Sequence, residues 1–383
     1  MRRVKLGDVC EVVSGSTPKT NIPEYWDGDI DWITPAELTD DSYIINESVR
    51  KVTAAGVQKT GLKAFPKGTV ILSSRAPIGK VAIAGKPMYC NQGFKNLICS
   101  DEIMPEYLYW FLKGNNEYLN SLGRGATFKE ISKKIVENIE ITLPDKEHQE
   151  HAVAVFDKCW EVMRKRKAEH AQLDELIKAR FVEMFGHGYY PSATLKDVTE
   201  VITKGTTPTT AGYTFIEEGI NFFKIESIKD DHTINLDKVA HVSEECHMAF
   251  KRSQLKEGDI LFSIAGAIGR TATISKEDVP GNTNQALAII RLAHDSGISN
   301  RYLISAFESP LVTEQYNKKK RGVAQTNLSL QDIGNLNIPV PTKSAQVEFV
   351  QFAVQVDKSK AAVQKSLDET QILFDSLMQE YFG

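Results

Sequence analysis

Several stretches of this chain carry the residue types that polar chemistry needs. Ser73-Ser74-Arg75-Ala76-Pro77-Ile78-Gly79-Lys80 ends on a Gly-Lys, as phosphate-cradling loops do. Ser74, however, stands where such a loop needs its first glycine, and Val81 follows where Ser or Thr should hold a magnesium ion. A strained Gly-x-Ser-x-Gly elbow and a His-Glu-x-x-His zinc helix are both absent. There is also no Asn/Asp-Pro-Pro-aromatic segment and no glycine-rich methyl-donor loop. The eight histidines cluster only as His148/His151 and His241/His247, and these read as surface or core side chains. Cys10, Cys90, Cys99, Cys159 and Cys246 are scattered, with no Cys-x-x-Cys and no zinc-ligand spacing, so they read as reduced thiols and no metal site is expected.

What remains is chemistry suited to nucleic acid. Duplex binding needs Lys and Arg on phosphates, and sequence reading needs Arg, Lys, Asn, Gln, Ser or Thr at base edges. The first half of the chain offers Thr17, Lys19, Ser74, Arg75, Lys80, Asn91, Gln92, Lys95, Arg124 and Lys129. The second offers Thr207, Lys224, Arg270, Asn284, Gln285, Lys318, Lys319, Lys320 and Arg321. Each has a plainer reading. Gly-x-Thr-Pro shapes turns, Asn91 and Asn284 can satisfy backbone groups beside a strand, and a lysine run is usually a solvated face. Arg164 to Lys167 lies mid-helix, open to either reading.

These residues recur in two copies. Gly15-Ser16-Thr17-Pro18 matches Gly205-Thr206-Thr207-Pro208, and Lys67-Gly68-Thr69-Val70-Ile71-Leu72-Ser73 matches Glu257-Gly258-Asp259-Ile260-Leu261-Phe262-Ser263. Ile78-Gly79-Lys80 matches Ile268-Gly269-Arg270, Asn91-Gln92 matches Asn284-Gln285, and Arg124-Gly125 matches Arg321-Gly322. Each half reads as short strands, including 69–73, 80–84, 259–263 and 285–290, separated by Gly- and Pro-rich turns. A helix follows in each, 104–113 and 300–317, the latter broken at Pro310. The expected class is α+β, with a twisted or barrel-like sheet in each half.

A long proline-free segment closes each half, 149–186 and 346–383, both opening on Gln and ending on Phe-Gly. Apolar residues at alternating 3/4 spacing suit a coiled-coil seam: Phe156, Met163, Leu173 and Ile177 in the first, and Val356, Val363, Leu367, Phe374 and Leu377 in the second. Arg166, His170, Arg180 and Lys360 interrupt it, which weakens packing and can fix register. The offset between copies drifts through the globular halves and stays constant through these segments. The helix length itself is therefore the constrained quantity, roughly 57 Å for ~38 residues. The expected division is 1–144 and 187–341 for two globular domains, with 145–186 and 342–383 as spacer helices.

Composition agrees with a globular chain: 42% hydrophobic, 25% charged, net charge −4. No apolar run reaches eighteen residues and the N-terminus lacks a signal-peptide core, so a cytoplasmic location without a membrane is the expectation.

Taken in duplicate, these motifs resemble the specificity (S) subunit of type I restriction–modification systems. The carriers are the order domain–helix–domain–helix, Gly15-x-Thr-Pro and Gly205-x-Thr-Pro, the cores Gly68…Ser73…Ile78-Gly79 and Gly258…Ser263…Ile268-Gly269, and Leu143-Pro144…Gln149 with Val340-Pro341…Gln346. Ser263-Ile264-Ala265-Gly266 departs from Ser73-Ser74-Arg75-Ala76, so Arg75 need not have a counterpart. The resemblance implies two target recognition domains, each reading half of a split double-stranded DNA site through the major groove. It implies that an antiparallel helix pair sets the gap between the half-sites. Two methyltransferase subunits carrying S-adenosylmethionine dock on it, restriction subunits join for cleavage, and this chain has no catalysis or cofactor of its own. The competing expectation is a duplicated coiled-coil scaffold without base readout.

Overall fold

The central strands of each half are buried on both faces, and period-2 alternation decides which core each side chain enters. A computed structural model describes residues 2–75, 77–125, 129–320 and 327–383, with residues 319 and 320 described by their backbone only. In strand Val70–Ser73, Val70 and Leu72 join the core under helix Pro105–Gly114, whereas Ile71 faces Phe65, Met88 and Phe94 on the other side. Strand Ile260–Ser263 repeats this: Ile260 and Phe262 enter one core and Leu261 the other. A continuous apolar run such as Val-Ile-Leu or Ile-Leu-Phe is what a doubly covered strand requires.

The chain forms two units, one of Met1–Lys167 with Lys365–Gly383 and one of Ala168–Gln364. In the first, a five-stranded sheet runs in the order Cys10–Ser14, Phe94–Cys99, Val70–Ser73, Val81–Ala84, Ile44–Ile45. Beside it lie a three-stranded sheet of Lys51–Val52, Trp26–Ile33 and Tyr89–Cys90, and the antiparallel pair Arg2–Lys5 with Glu140–Leu143. The second unit repeats the plan. Its four-stranded sheet runs Thr199–Lys204, Leu287–Leu292, Ile260–Ser263, Thr271–Thr273, beside a three-stranded sheet of Ala240–Val242, Ile220–Phe223 and Gly281–Thr283 and the pair Ser192–Thr194 with Asn337–Pro339. The strand expected at 285–290 begins later, at Leu287, and ends at Leu292. Asn284 holds residues 284–286 in a turn, its Oδ1 accepting the Ala286 N–H at 3.0 Å. The helix expected over 300–317 is two, Asn300–Glu308 and Pro310–Lys320, parted at the proline that cannot continue it.

The long helices, Lys146–Phe185 and Lys343–Phe382, are both 40 residues. Within each unit a stretch of one packs antiparallel on a stretch of the other. In the first unit Phe156 meets Phe374, Tyr381 and Phe382 at ring-centroid distances of 5.5–5.6 Å, with Trp110 5.8 Å from Phe156. In the second, Phe181 and Phe185 pack on Phe349 at 5.3 and 5.7 Å, Lys360 pairs with Asp174, and Arg180 reaches Glu348 at 3.1 Å. Of the expected seam, Phe156, Met163, Ile177, Val356, Val363 and Phe374 are buried, while Leu173, Leu367 and Leu377 are half-buried. Arg180 and Lys360, which break the apolar pattern, are the cations of these two interhelix ion pairs.

One glutamine locks each long helix onto its own domain. Gln149, fully buried, donates Nε2 to the Glu102 and Pro144 carbonyls (2.9 and 3.0 Å) and accepts the Met104 N–H at 2.8 Å. Gln346 does the same with Gly297 (2.7 Å), Pro341 (3.2 Å) and Ser299 (3.1 Å). Gln149→Ala leaves these groups unpaired and should cost its unit about 1–3 kcal/mol, with the other unit unaffected. Hydrogen exchange, which reports on each unit separately, checks this; equal loss in both units would contradict it.

Candidate nucleic-acid interface

In the first unit the candidate loops converge because their backbones bond to one another. A Cβ on Gly15 would lie 2.1 Å from the Cys90 carbonyl oxygen, so only glycine lets this loop lie flat on the strand end. The Ser16 N–H then donates to Cys90 at 3.0 Å, and Thr17 Oγ1 donates to Gln92 Oε1. The Ser74 N–H donates to the Gly93 carbonyl at 2.8 Å, and the Ile131 N–H to the Ser74 carbonyl at 2.9 Å. Arg124 and Glu130 exchange two backbone hydrogen bonds of 3.0 Å. Ser73 also ties in Pro77 and Lys80: its Oγ donates to the Pro77 carbonyl and accepts the Lys80 N–H, both at 2.8 Å, with Gly79 at φ +93°.

This frame brings Thr17, Ser74, Arg75, Asn91, Gln92, Lys95 and Arg124 together. Lys19, Gln92, Arg124 and Lys129 are exposed. Asn91 turns its Oδ1 inward to the Gly93 N–H (2.9 Å), its plainer reading. Glu130, which sequence reasoning passed over, is the hub: its carboxylate accepts from Arg75 Nε at 3.0 Å and Lys95 Nζ at 3.4 Å. An open depression of about 800 Å³ adjoins it, lined by Lys95, Arg124, Lys133, Lys134 and Tyr118 among others. An acid inside a basic loop cluster carries no sequence signal that separates a hub from a solvated carboxylate.

Lys80 lies apart from this cluster. Its Nζ donates to the Leu38 and Pro35 carbonyls at 2.6 and 3.4 Å, which ties down the loop after strand Trp26–Ile33. Lys113 does similar work on the Asp40 carbonyl, 4.2 Å over the Trp160 ring; burial pulls its ammonium down to about 8, with Asp40 and Asp41 opposing the shift. Arg270, the repeat partner of Lys80, holds the Ile228 carbonyl and Asp230 (3.1 Å).

The second unit rebuilds the same frame with other side chains. A Cβ on Gly205 would sit 1.7 Å from the Thr283 oxygen, and the Thr206 N–H donates there at 3.1 Å. The Ile264 N–H donates to Ala286 and the Leu328 N–H to Ile264, both at 2.9 Å, while Ser263 Oγ accepts the Arg270 N–H at 2.8 Å. Thr207, Asn284 and the exposed Gln285 therefore occupy the places of Thr17, Asn91 and Gln92. Lys224 stacks 4.4 Å over Phe215. Lys318 is exposed near the end of helix Pro310–Lys320; the side chains of Lys319 and Lys320, and all of Arg321, lie outside the described residues. Strand register puts Ala288 where Lys95 stands, and the loops put Ala265 and Asn327 where Arg75 and Glu130 stand.

Among the described residues no group of three His, Cys, Asp or Glu is placed to hold a metal ion, and no helix is long and apolar enough to cross a membrane. His148 is exposed beside Asp145, and His247 contacts Asn282. Against known proteins, a model of the type I restriction modification DNA specificity domain matches residues 1–172 and again 190–370. The chain belongs to this family. The specificity-domain chain is 40% identical over 184 residues to the type I restriction enzyme MjaIX specificity subunit of Methanocaldococcus jannaschii, covering 47% of this chain and 43% of that relative. It is 28% identical over 165 residues to the EcoBI specificity subunit of Escherichia coli, covering 43% and 34%. Each match thus spans less than half of the relative. A solved chain from work on complex assembly and conformational transition of the type I R-M system shares the fold over 99% of this chain and 97% of its own, with a TM-score of 0.61 at 19% identity.

Proposed function

We propose that this chain is the DNA sequence-specificity subunit of a type I restriction–modification complex. Each unit reads one half of a bipartite double-stranded target, and the long helices set the spacing between the halves. The single observation that carries this reading is the duplicated frame with exchanged side chains: Gly15/Gly205, Ser73/Ser263 and Asn91/Asn284 make the same backbone contacts in both units, while Arg75, Lys95 and Glu130 give way to Ala265, Ala288 and Asn327. A fixed frame bearing different reading heads is what two unlike half-sites require. Each wrong base pair costs ~1–3 kcal/mol, so two short half-sites together are selective enough for a genome.

Two methyltransferase subunits, carrying S-adenosylmethionine, dock on the helix pair and domains, and restriction subunits join for cleavage. This chain supplies recognition only and works in the cytoplasm, on the cell's DNA. The test is methylome sequencing of cells carrying this chain with its methyltransferase, before and after residues 1–144 are exchanged for those of another family member. A split methylation motif that changes in one half only is the expected result. An unchanged motif would mean a scaffold without base readout.

A further inference from the structure

Arg75, Glu130 and Lys95 form a graded stack from interior to surface. The Lys95 side chain is 8% exposed, Glu130 35% and Arg75 48%. Lys95 Nζ lies 3.3 Å from Ser74 Oγ and 3.4 Å from Glu130 Oε1, and Arg75 Nε donates to Glu130 Oε2 at 3.0 Å. The backbones are tied as well, since Arg75 and Arg124 each form a β-bridge to Glu130 and Ile131 bonds to Ser74. An arginine on an exposed loop normally samples many rotamers. Here the carboxylate holds Nε, the buried ammonium holds the carboxylate, and two loops hold both.

That arrangement selects the kind of partner. With Nε engaged, the two terminal amino groups of the half-exposed Arg75 side chain are a planar pair of parallel donors. In the major groove the matching pair of acceptors on one base is guanine O6 and N7. A phosphate is a poorer match, because the Glu130 carboxylate 3.0 Å from the guanidinium offsets much of the charge an anion would draw on, whereas a neutral base edge draws on the paired donors. Backbone contact falls instead to Arg124 and Lys134, which line the adjoining depression. The second unit has Ala265, Ala288 and Asn327 at these places and so lacks the device.

We propose that Arg75 reads a guanine in the half-site bound by the first unit, with Glu130 and Lys95 as positioning residues. This rests on the DNA-reading function proposed above. The test uses the chain assembled with its methyltransferase, and measures binding to targets carrying each base at every position of both half-sites. Arg75→Ala should abolish discrimination at one guanine position of one half-site by about 10- to 100-fold and leave the other half unchanged. Arg75→Lys keeps the charge but loses the paired donors, and should lose the same discrimination with overall affinity retained. Replacing that guanine by 7-deazaguanine should weaken the wild-type complex but not Arg75→Ala. Glu130→Gln should reduce discrimination at the same position, with thermal unfolding checking that the unit stays folded. Equal weakening on all sequences, or a half-site without guanine, overturns the assignment while leaving the DNA-reading function standing. Failure of the wild-type complex to select any sequence instead overturns that function.

Discussion

Arg291→Ala is expected to destabilise the second unit by about 3–5 kcal/mol, the cost of leaving a buried charge without its partner. Asp259 is fully buried, and Arg291 grips both of its oxygens, Nε to Oδ1 at 2.6 Å and a terminal amino group to Oδ2 at 2.7 Å. Asp259 also accepts the Lys256 N–H at 2.8 Å. The first unit fills the equivalent positions without charge. Thr69 stands for Asp259 and bonds to the Pro66 carbonyl at 2.8 Å, and Ile98 stands for Arg291. Pro66, which stands for Lys256, has no N–H to satisfy. Transplanting the whole solution, Asp259→Thr with Arg291→Ile and Lys256→Pro, should therefore recover stability to within about 1 kcal/mol of the starting protein, since well-packed apolar replacements of buried ion pairs are often neutral. Denaturant unfolding followed by hydrogen exchange in residues 199–292 measures both. A triple variant as unstable as Arg291→Ala would refute the explanation.

Removing one heptad from each long helix, residues 165–171 and 361–367, should shorten the preferred gap between half-sites by about three base pairs. Seven residues are ~10.5 Å of helix, and each base pair rises ~3.4 Å. A heptad also returns the seam to within ~20° of its original face, so Phe156, Ile177 and Phe374 keep their orientation. Both helices must be cut together, because Asp174–Lys360 and Arg180–Glu348 fix their register. Three base pairs turn the duplex by about 100°, so the shortened target is bound more weakly than the original is by the intact chain. Methylome sequencing reads the gap directly, and an unchanged gap would mean that the helices do not act as the ruler.

The strands are legible in the duplicated sequence, because Val70–Ser73 and Ile260–Ser263 share both pattern and flanking glycines. Local turn chemistry moved the start of Leu287–Leu292. The 3/4 spacing reads as a rod seam and leaves out Phe181 and Phe185, which answer to Tyr302 in the domain as well as to Phe349 on the partner helix. Residue type alone does not tell a cation that faces out from one that faces in. Lys80 bonds to the Pro35 and Leu38 carbonyls, and Arg270 to the Ile228 carbonyl and the Asp230 carboxylate, contacts that no sequence pattern announces. Glu130 was invisible for the opposite reason, since a carboxylate among basic residues argues against phosphate binding unless its geometry is known.

The first unit is discontinuous in sequence: Phe374 and Met378 complete the core that Trp110 and Phe156 begin. On the ribosome it is the first unit started and the last finished. The second unit, contiguous over Ala168–Gln364, has all its residues before the first does. At ~5–20 residues per second, the apolar faces around Trp110 wait on the order of 10–50 s for the helix that covers them. Until then the first unit lacks part of its core, so its folding is tied to synthesis of the second long helix.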